Sequence, residues 1–131
     1  MITITAITLS ALHESGVDYE VLLQYLTGSS RDKLNQITNP ESRDRSLLGE
    51  LLTRYGISRY FCIPNQDIEF SYLDKGKPHL PGHPGIHFNM SHSSQVICCA
   101  LAGSEIGVDV EHHRKVNFRV SGKMRLDFIK V

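Results

Sequence analysis

The order of apolar and polar residues predicts a chain that mixes strands with helices. Residues 2–9 alternate apolar and polar β-branched side chains, which is the period of a strand with one buried face. The same alternation predicts a half-buried strand over 67–73. Further strands are predicted at 86–90, 96–102 and 105–111, and the middle one of these is apolar throughout.

Helical periodicity marks three segments between the first two strands. One helix is predicted to begin at Asp18 and to end at Gly28, and a short helix follows from a cap at Ser29 and Ser30. The clearest helix starts at Asn39, where an N-cap residue, a proline at the first helical position and an acid in the first turn come together. Its predicted core face comprises Leu47, Leu48, Leu51, Leu52 and Tyr55.

Glycine and proline mark the loops. Three of each fall within residues 74–85, a density that excludes regular structure, so a long loop is predicted there. Gly103 and Ser104 suit a two-residue turn, which predicts a hairpin between the last two strands. The residues after Glu111 are rich in Lys, Arg and His, with scattered apolar positions. We expect a poorly ordered terminus there, with a weak strand or a basic arm as the alternatives.

Composition narrows the class of protein. The 131 residues amount to about one domain, and 14 Lys plus Arg balance 14 Asp plus Glu. No overall charge therefore favours nucleic acid or an anionic membrane as a partner. Three cysteines without a Cys-x-x-Cys pair suit neither a disulfide framework nor a zinc ribbon, and Cys98 and Cys99 are expected to be buried thiols in a cytoplasmic protein. Without a basic leader or an apolar run of about 20 residues, a soluble, unprocessed chain is expected.

Two acids near the end of the last predicted strand offer a metal site. Asp109 and Glu111 are two residues apart, so both carboxylates are predicted to lie on the face opposite Ile106, Val108 and Val110. Two carboxylates at so short a distance disfavour each other's ionisation unless a cation lies between them. Hard oxygen ligands of this kind suit Mg²⁺. Two solvated surface acids are the alternative that the spacing leaves open.

Two further segments offer donors for a phosphate group. Ser91 and His92 can present a hydroxyl and an imidazole to a ligand between two strands, although a structural turn explains this segment equally well. A serine hydrolase is disfavoured, because adjacent residues point apart on a strand and no third orienting group is evident. Lys75 and Lys77 flank a glycine in the loop, where ammonium groups can meet a phosphate; an exposed basic turn is the alternative.

Two more groups of side chains have weaker chemical signals. Arg43 and Arg45 lie in the first turns of the long predicted helix and can bind phosphate, with solvation at the surface as the default. His79, His83 and His87 have the spacing of zinc ligands on a helix. The prolines and glycines between them exclude that helix, so a zinc site is disfavoured.

The order of these segments resembles a known family. RDRSLLGELLTRYGIS, GKP, FNMSHS and IGVDVE follow one another between Ser29 and Glu111, as do the successive motifs of the surfactin-type (group II) 4'-phosphopantetheinyl transferases. The resemblance implies an α+β fold of two similar halves related by a pseudo-two-fold axis, with coenzyme A in the cleft between them. It also implies a Mg²⁺-dependent enzyme that transfers phosphopantetheine from coenzyme A to a serine of an apo acyl or peptidyl carrier protein and releases adenosine 3',5'-bisphosphate.

Site residues can be carried over where the motifs match. Asp109 and Glu111 correspond to the first two metal ligands of the family. Ser91 and His92 correspond to the pair that holds the coenzyme phosphates, and Arg45 corresponds to a basic residue on the 3'-phosphate. The resemblance thus implies Asp109, Glu111 and His92 as catalytic residues. The residues implied in coenzyme binding are Arg45, Lys75, Gly76, Lys77, Pro78, Ser91 and His92, with the GKP segment beside the adenine.

The resemblance is incomplete after Glu111. The family continues with a helix and a Trp-x-x-Lys-Glu-Ala block, whose Glu completes the metal site and whose Lys reaches the phosphates; this sequence has neither a Trp nor a Lys-Glu-Ala. We therefore expect an N-terminal transferase subdomain at 1–103, and at 104–131 the first strand of a second subdomain followed by an unrelated basic tail. Arg31 and Lys33, near the start of the match, occupy the neighbourhood of further basic phosphate contacts.

Three interpretations of function follow. The favoured one is a cytoplasmic transferase that acts on a carrier protein and pairs with a second copy or with a complementing C-terminal half. The second is a truncated, catalytically impaired remnant that binds coenzyme A or a partner chain. The third and weakest is a His-rich metal-binding module, which needs His79, His83 and His87 to converge in space.

Overall fold

A computed structural model of the protein describes residues 2–72, 78–112, 116–122 and 126–130. Within these ranges the elements in chain order are β1 (Ile2–Thr8), α1 (Leu9–Ser15), α2 (Tyr19–Leu23), α3 (Gly28–Asn35), α4 (Pro40–Phe61), β2 (Ser71–Tyr72), β3 (Pro78–His79), β4 (His87–Ser93), β5 (Val96–Ala102), β6 (Ile106–His112), β7 (Val116–Gly122) and β8 (Leu126–Lys130). A 3₁₀ turn, Asn65–Asp67, precedes β2. This mixture of helices and strands is that of an α+β protein, as expected.

Strand β5 is the centre of the main sheet, whose strand order is β1-β5-β4 with antiparallel pairing on both sides. Ile2 lies opposite Ala102 and Thr8 lies opposite Val96, while on the other side His87 lies opposite Ala102. All seven residues of β5 are buried. Its uninterrupted apolar run is therefore that of a strand covered on both faces.

The two faces of β5 belong to different parts of the core. Even-numbered residues from Val96 to Ala102 pack against the apolar side chains of β6. Odd-numbered residues face α4, where Leu101 packs with Ile57 and Ile97 packs with Leu48. Helix α4 and strand β6 are thus the two layers that enclose the sheet at this point.

The paired cysteines follow this division. Cys98 and Cys99 are fully buried on opposite faces of β5, which confirms the prediction of buried thiols. Burial raises the pKa of each thiol to about 11. Both thiols are therefore protonated and weakly nucleophilic at neutral pH.

Helix α4 begins where the sequence predicts, and its buried face includes most of the predicted residues. The Asn39 side chain caps the helix by accepting a hydrogen bond from the Ser42 amide at 2.9 Å. Tyr55, predicted to face the core, is 57% exposed. The buried residues of α4 are Leu47, Leu48, Gly49, Thr53, Arg54, Gly56 and Ile57. Leu47 and Leu48 are thus buried as predicted, and Leu51 and Leu52 are partly buried against the core. The prediction is wrong for Tyr55 alone, because small and polar residues complete the buried face of the helix.

The shorter helices also differ from the prediction. Helix α1 was not predicted, since it follows β1 directly: Thr8 ends the strand and caps the helix by accepting from the Ala11 amide at 3.1 Å. Helix α2 ends at Leu23, earlier than expected. Gly28 begins α3 instead of ending α2, and Thr27 is the N-cap of α3. Within the described ranges, the structure has no helix with both the length and the apolarity to cross a membrane.

The predicted hairpin between β5 and β6 is wrong. The two strands lie in different sheets, and β6 belongs to a second sheet of order β6-β7-β8. Both edges of β5 are already occupied by β1 and β4, so β6 packs on the face of the main sheet. The terminus predicted to be poorly ordered forms β7 and β8, of which β7 pairs with β6 along its length. The predicted strand at 67–73 is reduced to Ser71–Tyr72, which pairs with Pro78–His79.

Arg54 is a buried cation that ties α4 to the segment leading into β2. Its side chain is 3% exposed and its Nε donates to Glu50 Oε2 at 2.9 Å. Its Nη1 donates to the Ile68 carbonyl at 3.2 Å and to the Asn65 carbonyl at 3.3 Å, and the guanidinium lies 5.2 Å from the centre of the Phe70 ring. This arrangement fixes the position of Phe70 relative to the helix.

Gly56 lies at a close approach between α4 and β5. A Cβ atom at this position would overlap Cδ1 of Leu101. Leu101 is fully buried, so it cannot move aside without displacing other core residues. Glycine is required here by the packing of the helix on the sheet.

We expect Gly56→Ala to lower the free energy of unfolding by about 1–2 kcal/mol, because overpacking costs about 1–3 kcal/mol and the better helix propensity of alanine offsets up to about 1 kcal/mol. Urea titration measures this change. Gly28→Ala is the control, since a Cβ on Gly28 meets nothing within 4 Å. A Gly56→Ala protein as stable as wild type would contradict the contact with Leu101.

For Arg54→Met we expect a loss of about 3 kcal/mol in the free energy of unfolding, since the Glu50 carboxylate and two carbonyls lose their buried cation. Adding Glu50→Gln should recover part of that loss. Arg59→Met, at an exposed position near the end of the same helix, should change stability by no more than about 0.5 kcal/mol. Equal effects of the two arginine substitutions in chemical denaturation would show that the Arg54 network does not stabilise the fold.

Candidate functional site

A cavity of about 310 Å³ lies among α3, α4, β2 and β4. Its apolar wall includes Phe70, Phe88 and Met90, and the rings of Phe70 and Phe88 meet edge to face with their centres 5.4 Å apart. Gly49 of α4 contributes space, because a Cβ there would come within 3.2 Å of the Met90 sulfur. The cavity is therefore a groove between helix and strand whose wall is largely apolar.

Basic side chains from different elements meet at this cavity. Lys33 of α3, Arg45 of α4 and His92 of β4 all line it. The Lys33 ammonium lies 3.3 Å from the centre of the Tyr72 ring, in a cation–π contact that holds it at the cavity. Since α3, α4 and β4 each contribute one basic group, the cavity combines an apolar wall with positive charge.

Arg45 is held in place by α4 and by the turn after β4. Its Nη1 donates to the Ser94 carbonyl at 3.1 Å and its Nη2 donates to Ser42 Oγ at 3.2 Å. The Glu41 carboxylate lies 3.7 Å away, and the Arg45 side chain is 17% exposed. Arg43, the other arginine predicted for phosphate, lies instead 4.5 Å from the centre of the Tyr19 ring. Of this pair only Arg45 lines the cavity.

Ser91 and His92 lie within β4, which corrects their predicted place between two strands. Neighbouring residues of a strand point to opposite faces, and the partners across the sheet identify these faces. His92 lies opposite Ile97, on the side of α4, while Ser91 lies opposite Cys98, on the side of β6. The strand therefore presents one of these residues to each layer.

The carboxylates of Asp109 and Glu111 lie on the exposed face of β6. Ile106, Val108 and Val110, on the other face, are 5%, 8% and 4% exposed, which confirms the predicted division of this strand. The Ser91 hydroxyl donates to Asp109 Oδ1 at 3.4 Å. Because Ser91 also lines the cavity, it joins the cavity to the carboxylate pair.

The donor set at β6 suits Mg²⁺ better than zinc. Among the described residues no group of three or more His, Cys, Asp or Glu side chains is placed to hold a metal ion. Two exposed carboxylates alone are a common protein contribution to a Mg²⁺ site, where substrate phosphates and water complete the coordination. The residues present thus fit a cation that arrives together with a phosphate ligand.

The histidine cluster does not converge. His79 and His87 line a second cavity of about 560 Å³ together with Glu105, but His83 is not part of its wall. The weak alternative of a metal-binding module at these three histidines therefore has no support from the structure.

Some predicted residues are not at the cavity. Lys75, Gly76 and Lys77 lie outside the described residues, and Pro78, the next residue, lines the cavity. Arg31, expected near the phosphate contacts, is exposed and is not part of the cavity wall. The structure thus brings together Lys33, Arg45, Pro78, Ser91 and His92.

Sequence reasoning gave no role to several residues of the site. Phe70 and Tyr72 were assigned to a half-buried strand, and they line the cavity together with Glu50. Their alternation was the only signal, and it cannot distinguish a core from a cavity. Asn89 was part of the FNMSHS segment but had no assigned function, although its side chain contacts β6.

Comparison with known proteins supports the resemblance. Residues 13–105 match the family described as 4'-phosphopantetheinyl transferase, N-terminal. The chain is 33% identical over 102 residues to 4'-phosphopantetheinyl transferase Sfp of Bacillus subtilis (strain 168), covering 78% of this chain and 46% of that protein. It is 36% identical over 83 residues to 4'-phosphopantetheinyl transferase gsp of Aneurinibacillus migulanus, covering 63% and 34%.

A third relative comes from another genus. The chain is 30% identical over 93 residues to 4'-phosphopantetheinyl transferase HetI of Nostoc sp. (strain PCC 7120 / SAG 25.82 / UTEX 2576), covering 68% of this chain and 39% of that protein. The chain thus spans less than half the length of these relatives. The matched region contains the basic cavity and strands β4 and β5. This chain belongs to the surfactin-type 4'-phosphopantetheinyl transferase family and corresponds to part of its members' length.

Proposed function

We propose that this chain forms the coenzyme A-binding half of a Mg²⁺-dependent enzyme that transfers 4'-phosphopantetheine to a serine of an apo acyl or peptidyl carrier protein. The observation that carries the proposal is the position of Ser91, a residue that lines the basic cavity and whose hydroxyl donates to Asp109 on β6. A pyrophosphate in the cavity can therefore lie close to the carboxylate pair. Family membership supports the same reaction.

Phosphate groups are proposed to bind the basic side chains of the cavity. Arg45 can offer a planar guanidinium, and Lys33 and His92 can add charge and hydrogen-bond donors from two other elements. Ser91, the neighbouring residue at the cavity, directs its hydroxyl to β6. By family resemblance the adenine lies next to the segment formed by Lys75, Gly76, Lys77 and Pro78.

Asp109 and Glu111 are proposed as the protein ligands of Mg²⁺. Their exposure on one face of β6 leaves room for phosphate oxygens and water. When bound, the ion neutralises charge on the pyrophosphate of coenzyme A. The proposed role of this chain is to hold the two carboxylates next to the cavity.

The proposed reaction is phosphoryl transfer. The oxygen of the carrier serine forms a bond to the phosphorus that bears the pantetheine arm. The bond from this phosphorus to the oxygen bridging toward the adenosine 3',5'-bisphosphate breaks, and the serine proton passes to a base. Catalysis of this kind depends on positioning and on neutralisation of charge, which the cavity and the carboxylate pair can supply.

We further propose that residues 1–103 form one subdomain and that 104–131 begin a second. The separate sheet of β6, β7 and β8 supports this division. In the proposed complete enzyme the second subdomain is related to the first by a pseudo-two-fold axis. A second copy or a complementing C-terminal half is the proposed source of that subdomain's remaining groups.

A remnant that binds coenzyme A without efficient turnover is the second candidate function. It is favoured by one observation, namely that these 131 residues contain no Trp and no Lys-Glu-Ala, so they include no counterpart of the family's third metal ligand or of its phosphate-contacting lysine. The binding residues described above serve both candidates. Turnover is the property that separates them.

Carrier modification by this 131-residue chain alone is expected to be about 10²–10⁴-fold slower than that by a full-length relative, because loss of a general base or of one electrostatic contact commonly has that effect. A separately expressed C-terminal half should raise the rate, and Asp109→Asn should abolish the gain. Intact mass of an apo carrier protein with labelled coenzyme A measures transfer, while sedimentation reports the oligomeric state.

Glu105→Gln is the matched control for Asp109→Asn, since Glu105 is an exposed acid directly before β6. Full turnover by the monomeric chain would overturn the need for a second half. Activity confined to an oligomer would identify a second copy as the source of the missing groups. Absence of transfer in every mixture would favour the binding remnant.

A further inference from the structure

One edge of β6 is capped by side chains of β4. In antiparallel pairing with β7, the amides of alternate β6 residues point toward β7 and the others point to the opposite edge. At that edge the Val108 amide donates to Asn89 Oδ1 at 3.0 Å, and the Val110 amide donates to Ser91 Oγ at 3.2 Å. Side chains thus satisfy two backbone donors that would otherwise need a neighbouring strand or water.

The chemistry of the donors defines the role of each side chain. A backbone amide can only donate, so Asn89 must direct its carbonyl oxygen toward Val108. By the same argument Ser91 Oγ accepts from Val110, and its single hydrogen is left to donate to Asp109 Oδ1. In this arrangement the Ser91 hydroxyl bonds both the backbone of β6 and one of its carboxylates.

The two bonds define a register between β4 and β6. Each joins residues that are 19 apart in the sequence, so the two strands run parallel at this point with one alignment. A slip of β6 by one residue would turn the amides of Val108 and Val110 away from β4. It would also exchange Asp109 with a buried valine, since the side chains of a strand alternate between its faces.

We propose that Asn89 and Ser91 are positioning residues that fix the register of β6 and thereby hold Asp109 and Glu111 in place for the Mg²⁺ complex of coenzyme A. We call these two side chains the β4 clamp. The proposal rests on the proposed function for the identity of the ligand, but the clamp itself does not depend on it. The clamp holds the carboxylate pair of β6 beside β4, the strand whose other face carries His92.

Amide hydrogen exchange measured by NMR tests the clamp directly. Asn89→Ala should accelerate exchange at Val108, and Ser91→Ala should accelerate it at Val110, each by about 2- to 10-fold for the loss of one hydrogen bond. Ser91→Thr retains the hydroxyl oxygen and should restore slow exchange. Ser93→Ala, at the next residue on the same face of β4, is the control and should leave both amides unchanged.

A titration of Mg²⁺ at fixed coenzyme A tests the consequence for the carboxylate pair. In both alanine variants the Mg²⁺ concentration for half-maximal effect on coenzyme binding should rise about 10-fold, because groups that orient metal ligands commonly affect metal affinity by that factor. In Asn89→Ala, whose side chain is not part of the cavity wall, coenzyme binding in chelator should stay at its wild-type value, and Ser91→Thr should behave like wild type. A general loss of structure would instead weaken binding equally with and without Mg²⁺.

Unchanged exchange at Val108 and Val110 in the two alanine variants would overturn the clamp. Equal weakening of coenzyme binding in Mg²⁺ and in chelator by Asn89→Ala would overturn its positioning role. If the alanine variants exchange faster but wild-type binding does not respond to Mg²⁺, the clamp stands and the metal part of the proposed function fails. The two failures are therefore distinguishable.

Discussion

The two-sided burial of β5 is the constraint on which the site depends. Its edges pair with β1 and β4, and one face packs on α4, so the remaining apolar face is left for β6. Burying about three aliphatic side chains there contributes roughly 5–9 kcal/mol before entropy is counted. Because strand side chains alternate, the same burial that stabilises β6 turns Asp109 and Glu111 outward.

Strand β4 connects the cavity to the carboxylates of β6. Its residues on the side of α4, among them Met90 and His92, line the basic cavity, while Asn89 and Ser91 on the other side bond β6. The cavity and the carboxylate pair are thus built on opposite faces of one strand and meet at its edge. A rigid strand can hold two chemically different groups at a fixed separation better than a loop can.

Residue type and hydrophobic period predicted those features of the fold that depend only on residues close together in the sequence. The cap at Asn39, the buried run of β5 and the two faces of β6 follow from residue type and period, and all three are confirmed. The position of β6 did not follow, because alternation identifies a buried face but not its neighbour. Arg54 was missed because a buried arginine has no hydrophobic signature; only its partners in the folded chain reveal it.

The candidate site was predictable to a similar extent. Motif order located Arg45, His92 and the carboxylate pair, and the first two do line one cavity. The link between cavity and carboxylates was not predictable, since it depends on the hydrogen bond from Ser91 to a strand that is distant in sequence. Contacts of this kind arise from the packing of β6 across the sheet.

The most direct test of this account is a calorimetric titration of coenzyme A with the wild-type chain and with Asp109→Ala, each in Mg²⁺ and in chelator. The account predicts that Mg²⁺ strengthens binding to wild type, that Asp109→Ala loses this component, and that Glu105→Ala retains it. Wild-type protein that binds coenzyme A equally well in chelator would contradict the claim that the cavity and the carboxylates of β6 form one site.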